Sequence, residues 1–467
     1  MSDVEFDTLL VNGDVVLPDG QSARVDVAVS DGRIAALLAP GQAMATRHRI
    51  DVAGLTVLPG VVDVHLHLGH EKDISRPRVA ADAAQETAAA ASGGVTTMIP
   101  YLLSADPFET IFDEVQAVTE AGSRVDFGYH FIISTEDQLS AIGRYVTDYG
   151  APSFKIFMNN RGGEGARLGL PDIDDAFLYR LAEQCVLHGG MVCPHPENIE
   201  VAQYLRKAVM ARPDDWPSGL AAWNATRPPF VEADAIQRAG TLCRAAGAPL
   251  YVVHTSSGEA LDAARVARRQ GTQITIETCP HYLTHDIDWE GGDIGKINPP
   301  LRTAADREAL WEGIRDGTID TVATDHVHRH VSAKQGGIWA ASPGCPGMET
   351  LLPVMLSEGY HRRGIPLARI VSMLATKPAE AMGLGDRKGA IRLGYDADFA
   401  IVDLNATSTV SSASVLSSAG YSLYDGWALK GTVVHTFVRG QCVFEGGSLV
   451  DTAVGTGRYL RRQLRVQ

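Results

Sequence analysis

From residue 61 the chain reads Val61-Val62-Asp63-Val64-His65-Leu66-His67-Leu68, an apolar run that carries two histidines. A turn signal, Leu58-Pro59-Gly60, precedes it and predicts that a strand begins here. Because side chains alternate between the two faces of a strand, His65 and His67 point to the same side. Such a pair can offer two nitrogens to one metal ion. By itself such a pair is more often two buried histidines that only form hydrogen bonds.

Beyond this run, β-rich segments alternate with helical ones, which is typical of parallel βα units. The predicted strands are residues 61–68, 95–101, 125–133, 153–158, 191–195, 249–255, 273–279 and 321–326. The predicted amphipathic helices between them include residues 79–91, 107–121, 173–188 and 259–270. Eight such units in one domain predict an α/β protein with a (β/α)8 barrel, whose active site lies where the strands end.

The two ends of the chain have a different, all-β pattern. Short alternating runs at residues 8–11 and 25–29 lead into Asn12-Gly13 and Asp31-Gly32, which are hairpin signals. Strands are predicted again at 389–391, 394–402 and 433–439. Because chain termini often lie close together, we expect one small β-sandwich built from both ends. The predicted domains are residues 1–56 (sandwich), 57–384 (metal-dependent barrel) and 385–467 (sandwich).

Composition excludes several classes of partner. The 467 residues carry a formal charge of −15, which disfavours binding to nucleic acid or to an anionic membrane. The six cysteines are scattered without a Cys-x-x-Cys motif, which indicates a reduced, intracellular protein. The acidic start Met1-Ser2-Asp3-Val4-Glu5 has no apolar core of a signal peptide, and no apolar run is long enough to span a bilayer. We therefore expect a cytoplasmic protein with neither a nucleic-acid nor a membrane partner.

Residues able to bind metal fall on five of the predicted strands. They are His65, His67, Lys155, His195, His254 and Asp325. In a parallel barrel these strands bring them to one rim although they are far apart in sequence. Imidazole and carboxylate donors without thiolates suit Zn²⁺, with Mn²⁺, Co²⁺ and Fe²⁺ as alternatives.

Lys155 is the unusual member because it lies on an apolar strand. One interpretation is a buried lysine paired with a carboxylate. The other is that burial lowers its pKa and leaves a neutral amine. That amine could take up CO₂ and become a carbamate, whose two oxygens are able to bridge two metal ions. The residues alone leave both interpretations open.

These residues stand in motifs that resemble the cyclic amidohydrolases, the family of hydantoinases, dihydropyrimidinases, allantoinases and dihydroorotases. The motifs are His65-Leu66-His67, Phe154-Lys155-Ile156-Phe157, Pro194-His195-Pro196-Glu197-Asn198, Val252-Val253-His254-Thr255-Ser256-Ser257, Ala323-Thr324-Asp325-His326, Glu277-Thr278-Cys279-Pro280-His281-Tyr282-Leu283 and Asn298-Pro299-Pro300-Leu301-Arg302. The resemblance covers nearly the whole chain. It implies two zinc ions, one held by His65, His67 and Asp325 and one by His195 and His254, with carboxylated Lys155 as the bridge.

The resemblance also implies the reaction. A hydroxide bridging two metal ions attacks the carbonyl of a cyclic amide, and the ring opens to a carboxylate. Asp325 takes the proton of the hydroxide and delivers it to the departing nitrogen. Such enzymes act on carbon–nitrogen bonds other than peptide bonds, take a small cyclic amide as substrate, and form homodimers or homotetramers.

The chain departs from the family pattern at positions that contact substrate. Dihydroorotases carry an arginine directly after the His-x-His strand, and here Leu68 and Gly69 follow. Dihydropyrimidinases have a tyrosine where this chain has Asn160, at the start of a glycine-rich loop. We expect Asn160 or Arg161 to stabilise the oxyanion, since both donate hydrogen bonds; the alternative is a solvated surface loop.

Two further positions are expected to contact the substrate. Asn298 follows the seventh predicted strand, and Gly347 lies in a loop after the eighth. Their alternative roles are turn formation and helix entry. Two other functions are alternatives: hydrolysis of a linear amide or ureide, and a non-catalytic tetrameric scaffold. The presence of all six metal-capable residues argues against the scaffold, and the ring of the substrate is left open.

Overall fold

The computed structural model describes residues 5–464, so the outer ends of the predicted modules 1–56 and 385–467, including most of the acidic N-terminal segment, lie outside the described residues. The strands are β1 (Phe6–Val11), β2 (Asp14–Val16), β3 (Ser22–Arg24), β4 (Asp26–Ser30), β5 (Arg33–Leu38), β6 (Thr46–Asp51), β7 (Thr56–Pro59), β8 (Val61–His67), β9 (Val95–Leu102), β10 (Asp126–Phe127), β11 (His130–Ile132), β12 (Ser153–Phe157), β13 (Met191–His195), β14 (Leu250–Val252), β15 (Ile274–Thr278), β16 (Thr321–Val322), β17 (His326–Val327), β18 (Phe399–Thr409), β19 (Ala428–Val438), β20 (Gln441–Glu445) and β21 (Ser448–Leu449).

The α-helices are α1 (Ala80–Ser92), α2 (Phe112–Gly122), α3 (Glu136–Ser140), α4 (Ile142–Thr147), α5 (Asp175–His188), α6 (Ile199–Ala211), α7 (Gly219–Thr226), α8 (Pro229–Ala246), α9 (Gly258–Arg269), α10 (Pro280–Thr284), α11 (Ala304–Arg315), α12 (Leu351–Val354), α13 (Leu367–Val371) and α14 (Lys377–Ala381). Two π-helical segments, Met355–Arg362 and Ser372–Thr376, extend α12 and α13. Among the residues described, none of these helices is long and apolar enough to cross a membrane.

A curled parallel sheet forms the centre of the molecule. Its strands follow the order β16-β15-β14-β13-β12-β11-β9-β8-β17. Because β16 pairs with β15 while β17 pairs with β8, the short segment that contains both strands joins the two edges of the sheet. The carboxyl ends of all these parallel strands therefore gather at one rim, where the predicted site residues lie.

Two predicted barrel strands are interrupted. The run 125–133 divides into β10 and β11, because Phe127 pairs with the C-terminal segment: its N–H donates to the Arg458 carbonyl at 3.0 Å and its carbonyl accepts from Leu460 at 2.6 Å. The run 321–326 divides into β16 and β17 around Asp325, whose backbone is left-handed at φ 47°.

Both chain ends contribute to one antiparallel-rich sheet, ordered β21-β20-β19-β18-β7-β2-β3. A second sheet, β5-β4-β1-β6, shares its apolar core, in which Val27 and Ile34 belong to the same cluster as Phe399 and Phe437. The predicted strand at 389–391 is wrong: Gly389 is left-handed at φ 82° and Ile391 reaches the core from a loop. The predicted strand 394–402 begins only at Phe399, with turns before it.

A fully buried ion cluster ties the parallel sheet to the end module. Lys388 Nζ lies 2.6 Å from a carboxylate oxygen of Asp126 in β10 and 2.6 Å from one of Asp398 before β18. Lys388→Met is expected to lower the free energy of unfolding by about 3–5 kcal/mol, because it leaves the buried carboxylate of Asp398 without a cation, whereas Asp126 keeps its pair with Arg439. Urea unfolding measures this, with Lys377→Met as the control: Lys377 pairs with Glu380 at the surface, where a pair contributes about 1 kcal/mol or less. Equal losses in the two variants would contradict the assignment.

Candidate metal centre

The two histidines of β8 converge on Asp325. His65 Nε2 lies 3.2 Å from Asp325 Oδ1, and His67 Nε2 lies 3.8 Å from the same oxygen. The three residues each offer one donor atom, and these atoms lie within 4.8 Å of one another. His65 is fully buried, whereas the Asp325 side chain keeps 13% exposure. The cluster thus combines a dry interior with a carboxylate that a small molecule can reach.

The next two predicted histidines extend this cluster. His254 Nε2 and His195 Nδ1 are 2.9 Å apart, and the ring of His254 stacks on that of His65 with centroids 5.3 Å apart. His254 Nδ1 and His67 Nδ1 are buried and have no hydrogen-bond partner within the described part of the chain. The Nε2 atoms of the same two rings face Asp325 and His195, and an imidazole that carries its proton on Nδ1 offers Nε2 as an electron-pair donor to a cation.

Lys155 lies in the same cluster, with Nζ 3.3 Å from His65 Nε2. Its residue exposure is 1%, and burial lowers the pKa of its amine to about 8. In residues 5–464, no carboxylate oxygen lies within 4 Å of Nζ in an ion pair, so the interpretation as a buried lysine–carboxylate pair has no partner. The amine instead faces imidazoles and lies 4.6 Å from the centre of the Tyr101 ring.

The charges around Asp325 keep it ionised. Burial acts to raise the pKa of this carboxyl, but attraction to the His65 and His67 imidazoles and to the Lys155 amine outweighs it and holds the pKa well below its usual range. The ionised carboxylate is both the form that coordinates a cation and the form that accepts a proton.

Glu277 forms hydrogen bonds to two histidines of the cluster, and this role was not identified from the sequence. Its Oε1 accepts a hydrogen bond from His65 Nδ1 at 2.6 Å and another from the His254 backbone N–H at 2.9 Å, and its Oε2 accepts from Tyr251 at 2.9 Å. The first bond leaves Nε2 of His65 as an electron-pair donor toward the cluster. Glu277 stands in a quoted motif, but nothing in the sequence shows which imidazole it holds.

His195 has an equivalent support. Its Nε2 lies 2.7 Å from Glu197, which in turn accepts from Arg227 at 2.7 Å. Burial acts to raise the pKa of Glu197, but the Arg227 charge and the His195 bond lower it to about 2, so the carboxylate stays charged and fixes the ring. The sequence contains a signal for Glu197, which directly follows His195-Pro196. It contains none for Arg227, which lies between α7 and α8.

Backbone strain is concentrated at this site. Two of its residues, His254 at φ 41° and Asp325 at φ 47°, have left-handed backbones that cost about 1–3 kcal/mol each in residues other than glycine. Asp63 holds the second turn in place, because its carboxylate accepts from the Thr324 N–H at 3.1 Å and from the Thr324 hydroxyl at 2.5 Å. Strain maintained by buried hydrogen bonds is a feature of functional sites.

The predicted substrate contacts vary in their surroundings. Asn160 is 4% exposed, while the Arg161 guanidinium pairs with Asp175 and lies 3.7 Å from Glu200. Asn298 Oδ1 accepts from the Trp223 indole at 3.1 Å. Gly347 uses its N–H to donate to His326 Nδ1 at 3.1 Å. Asn298, Arg161 and Gly347 therefore already have partners, whereas the side-chain amide of Asn160 forms no hydrogen bond among the described residues.

Comparisons with known proteins agree with this geometry. The model of the amidohydrolase family matches residues 56–443. A D-hydantoinase from Ralstonia pickettii is 33% identical over 98% of this chain and 99% of its own length, and an allantoinase from Rubrobacter xylanophilus is 34% identical over 97% and 98%. The solved structure of an L-hydantoinase (dihydropyrimidinase) from Arthrobacter aurescens has a TM-score of 0.87 at 30% identity, covering 98% of this chain and 100% of that one. The predicted barrel class is confirmed at the level of an amidohydrolase fold of the TIM-barrel type.

Proposed function

Because the chain belongs to the amidohydrolase family, we propose that it hydrolyses a cyclic amide or ureide and opens the ring to a carboxylate. One observation carries the proposal: the donor atoms of His65, His67 and Asp325 gather within 4.8 Å at the rim of the parallel sheet. The relatives extend over nearly the full length of this chain and are named hydantoinases and allantoinases. The shared chemistry is hydrolysis of an amide bond within a ring.

The donor set fits two divalent cations. We assign one to His65, His67 and Asp325 and the other to His195 and His254, with Zn²⁺ favoured by imidazole and carboxylate donors and Mn²⁺, Co²⁺ or Fe²⁺ as alternatives. When bound, such cations lower the pKa of water and polarise a carbonyl. The close approach of His195 Nδ1 and His254 Nε2, which are 2.9 Å apart, supports the second site.

Lys155 fits the role of a bridge after carboxylation. Its neutral amine attacks CO₂: a nitrogen–carbon bond forms while the π bond of one C=O breaks and its electron pair moves to that oxygen. The nitrogen then loses one proton to water, so that the side chain becomes an anion with two oxygens. Burial without a carboxylate partner supports this step, because it favours the neutral amine over the ammonium ion. The carbamate would also place a negative charge among imidazoles that could bind cations.

The protein's own groups handle the proton and the substrate. Asp325 stays ionised, accepts the proton released during attack at its carboxylate, and passes it to the departing ring nitrogen. Asn160 and Asn298 would orient the amide and its developing oxyanion through their side-chain amides. Arg161 and Gly347 would act by shaping the pocket, since their donors are already engaged.

The finer architecture belongs to the same proposal. We assign the parallel sheet and its helices to a (β/α)8 barrel at 57–384, and the two end sheets to a β-sandwich from 1–56 and 385–467. The strand pairs β7–β18 and β2–β7 support the union of the two ends. A cytoplasmic homodimer or homotetramer is the proposed assembly, by analogy with the family.

A panel of substrates tests the reaction. Metal-loaded protein is expected to hydrolyse at least one five- or six-membered cyclic ureide or imide, because the donor cluster is built to activate water beside a carbonyl. Loss of the ring amide and appearance of the ring-opened acid are followed by chromatography, with metal-stripped protein as the control. Turnover confined to linear amides or ureides would move the assignment to the alternative function, and no turnover on either class would contradict it.

A further inference from the structure

A cavity of about 540 Å³ lies at the same rim as the metal centre. Its walls come from residues within 72–78 after β8, from the turn at 103–106 after β9, and from Arg329 after β17. The loop after β8 turns back at Gly69, where a Cβ atom would lie only 1.9 Å from the Asp73 carbonyl oxygen. We call this space the rim cavity. Its volume is in the range of pockets that bind small molecules.

The rim cavity is basic although the whole chain carries a net charge of −15. Four cationic side chains and two carboxylates line it: Lys72, Arg76, Arg78 and Arg329, with Asp73 and Asp106. One carboxylate is already used, because Asp73 accepts from Arg78 at 3.3 Å and also from the Ser75 hydroxyl at 2.7 Å. Positive charge therefore predominates in the rim cavity although the protein as a whole is acidic, and this charge favours an anionic ligand.

Arg76 has no ion-pair partner among the described residues. In the part of the chain that the structure describes, no carboxylate lies within 4 Å of its guanidinium, and its Nη1 is buried without any hydrogen bond. Burial and repulsion from Arg78 both lower the pKa of this guanidinium. A charged nitrogen buried without an acceptor is unfavourable, whereas the Arg76 side chain as a whole is half-buried and lines the cavity. A carboxylate in the cavity would offer the guanidinium two acceptor oxygens in the planar arrangement that arginine binds best.

The rim cavity also adjoins the reacting centre. His67 ends β8, and the cavity wall begins a few residues later in the same loop. Arg329 lies shortly after Val327, which pairs with His67 between β17 and β8, so this wall of the cavity also starts at the metal centre. A ligand whose amide lies at the metal centre can thus extend a substituent into the rim cavity.

We propose that the rim cavity binds an anionic substituent of the substrate, so that the preferred substrate is a cyclic amide or ureide whose ring bears a carboxylate, with Arg76 as the residue that selects for it. The proposal rests on the proposed function and specifies its substrate class. Arg76 would bind the substrate carboxylate from a later part of the loop after β8. The positions directly after the His-x-His strand, Leu68 and Gly69, carry no charge that could do so.

Matched pairs of substrates test the inference. Each pair shares one five- or six-membered ring and differs in a substituent of similar length that ends either in a methyl group or in a carboxylate. The protein is expected to have the higher kcat/KM for the anionic member. Arg76→Gln is expected to raise KM for that member by about 10- to 100-fold, with kcat and the neutral substrate nearly unchanged.

Two controls keep the test specific. Arg78→Gln removes an exposed cation of the same loop that is already paired with Asp73, and it is expected to change KM much less. Arg76→Lys keeps the charge but loses the two-pronged geometry, so its KM should fall between those of the wild type and the glutamine variant. Equal kcat/KM for both members of every pair, with no effect of Arg76→Gln, would overturn the inference and leave the hydrolase assignment standing.

Binding separates this inference from the proposed function. Calorimetry on metal-loaded protein with the same ligands reports affinity even if no ring is opened. Tighter binding of the anionic member, weakened by Arg76→Gln and by added salt, supports the inference whatever the turnover. Equal binding of both members overturns it, whereas absence of turnover with charge-selective binding overturns only the proposed hydrolysis.

Discussion

Asp325→Asn is expected to lower kcat by about 10³- to 10⁴-fold, the effect of losing a general base and acid in a hydrolytic step. The asparagine keeps the size of the side chain and one oxygen near His65 and His67, which lie 3.2 and 3.8 Å from Oδ1 in the structure. It cannot accept the proton that the carboxylate accepts. Metal content should therefore stay largely intact while turnover is lost, and both are measured on the same preparation.

Asp320→Asn is the matched control for this variant. Asp320 lies just before β16 in the same segment and forms its ion pair with Arg268 at 2.5 Å, away from the imidazoles. Its replacement is expected to leave kcat within a small factor of the wild type. Turnover near the wild-type level in Asp325→Asn would contradict the role assigned to Asp325.

The parts of the fold that the sequence predicted are those with a local signal. Met191–His195 is predicted and observed with the same ends, because an apolar run here stops at a proline and follows a glycine turn. The interruption between β10 and β11 has no such signal. It depends on Arg458 and Leu460, which pair with Phe127 from the far end of the chain, and no local window contains both partners.

The candidate site shows the same limit. The six residues proposed to bind metal could be identified from the sequence, because each one lies on a predicted strand, or at its end, within a recognisable motif. Glu277 could not be given a role, since its value lies in reaching His65, which is distant in sequence and adjacent only in the fold. The left-handed backbone of Asp325 was also beyond prediction, because it depends on the buried contact between Asp63 and Thr324.

Lys155→Met is expected to lose most of the bound metal and to reduce turnover to the background of metal-stripped protein. The methionine fills the buried space but offers no nitrogen for carboxylation, so the proposed bridge between the two cations disappears. Removing a residue that only hydrogen-bonds to a metal ligand already lowers metal affinity by about 10–100-fold. Removing a ligand itself should therefore lower it at least as much. Metal per chain after dialysis and kcat on the best substrate of the panel measure the effect.

A second buried lysine provides the control, and labelled bicarbonate provides an independent readout. Lys334 is 2% exposed, and burial lowers its pKa to about 7, but its Nζ donates to the Lys296 carbonyl instead of facing the imidazoles of the cluster. Lys334→Met should therefore keep its metal. Wild-type protein supplied with isotopically labelled bicarbonate should show a carbamate carbon in its NMR spectrum that Lys155→Met lacks and Lys334→Met retains. Full metal content in Lys155→Met, or a carbamate signal that survives in it, would contradict the assigned bridge, because Lys155 is the amine that lies 3.3 Å from His65 at the centre of the donor cluster.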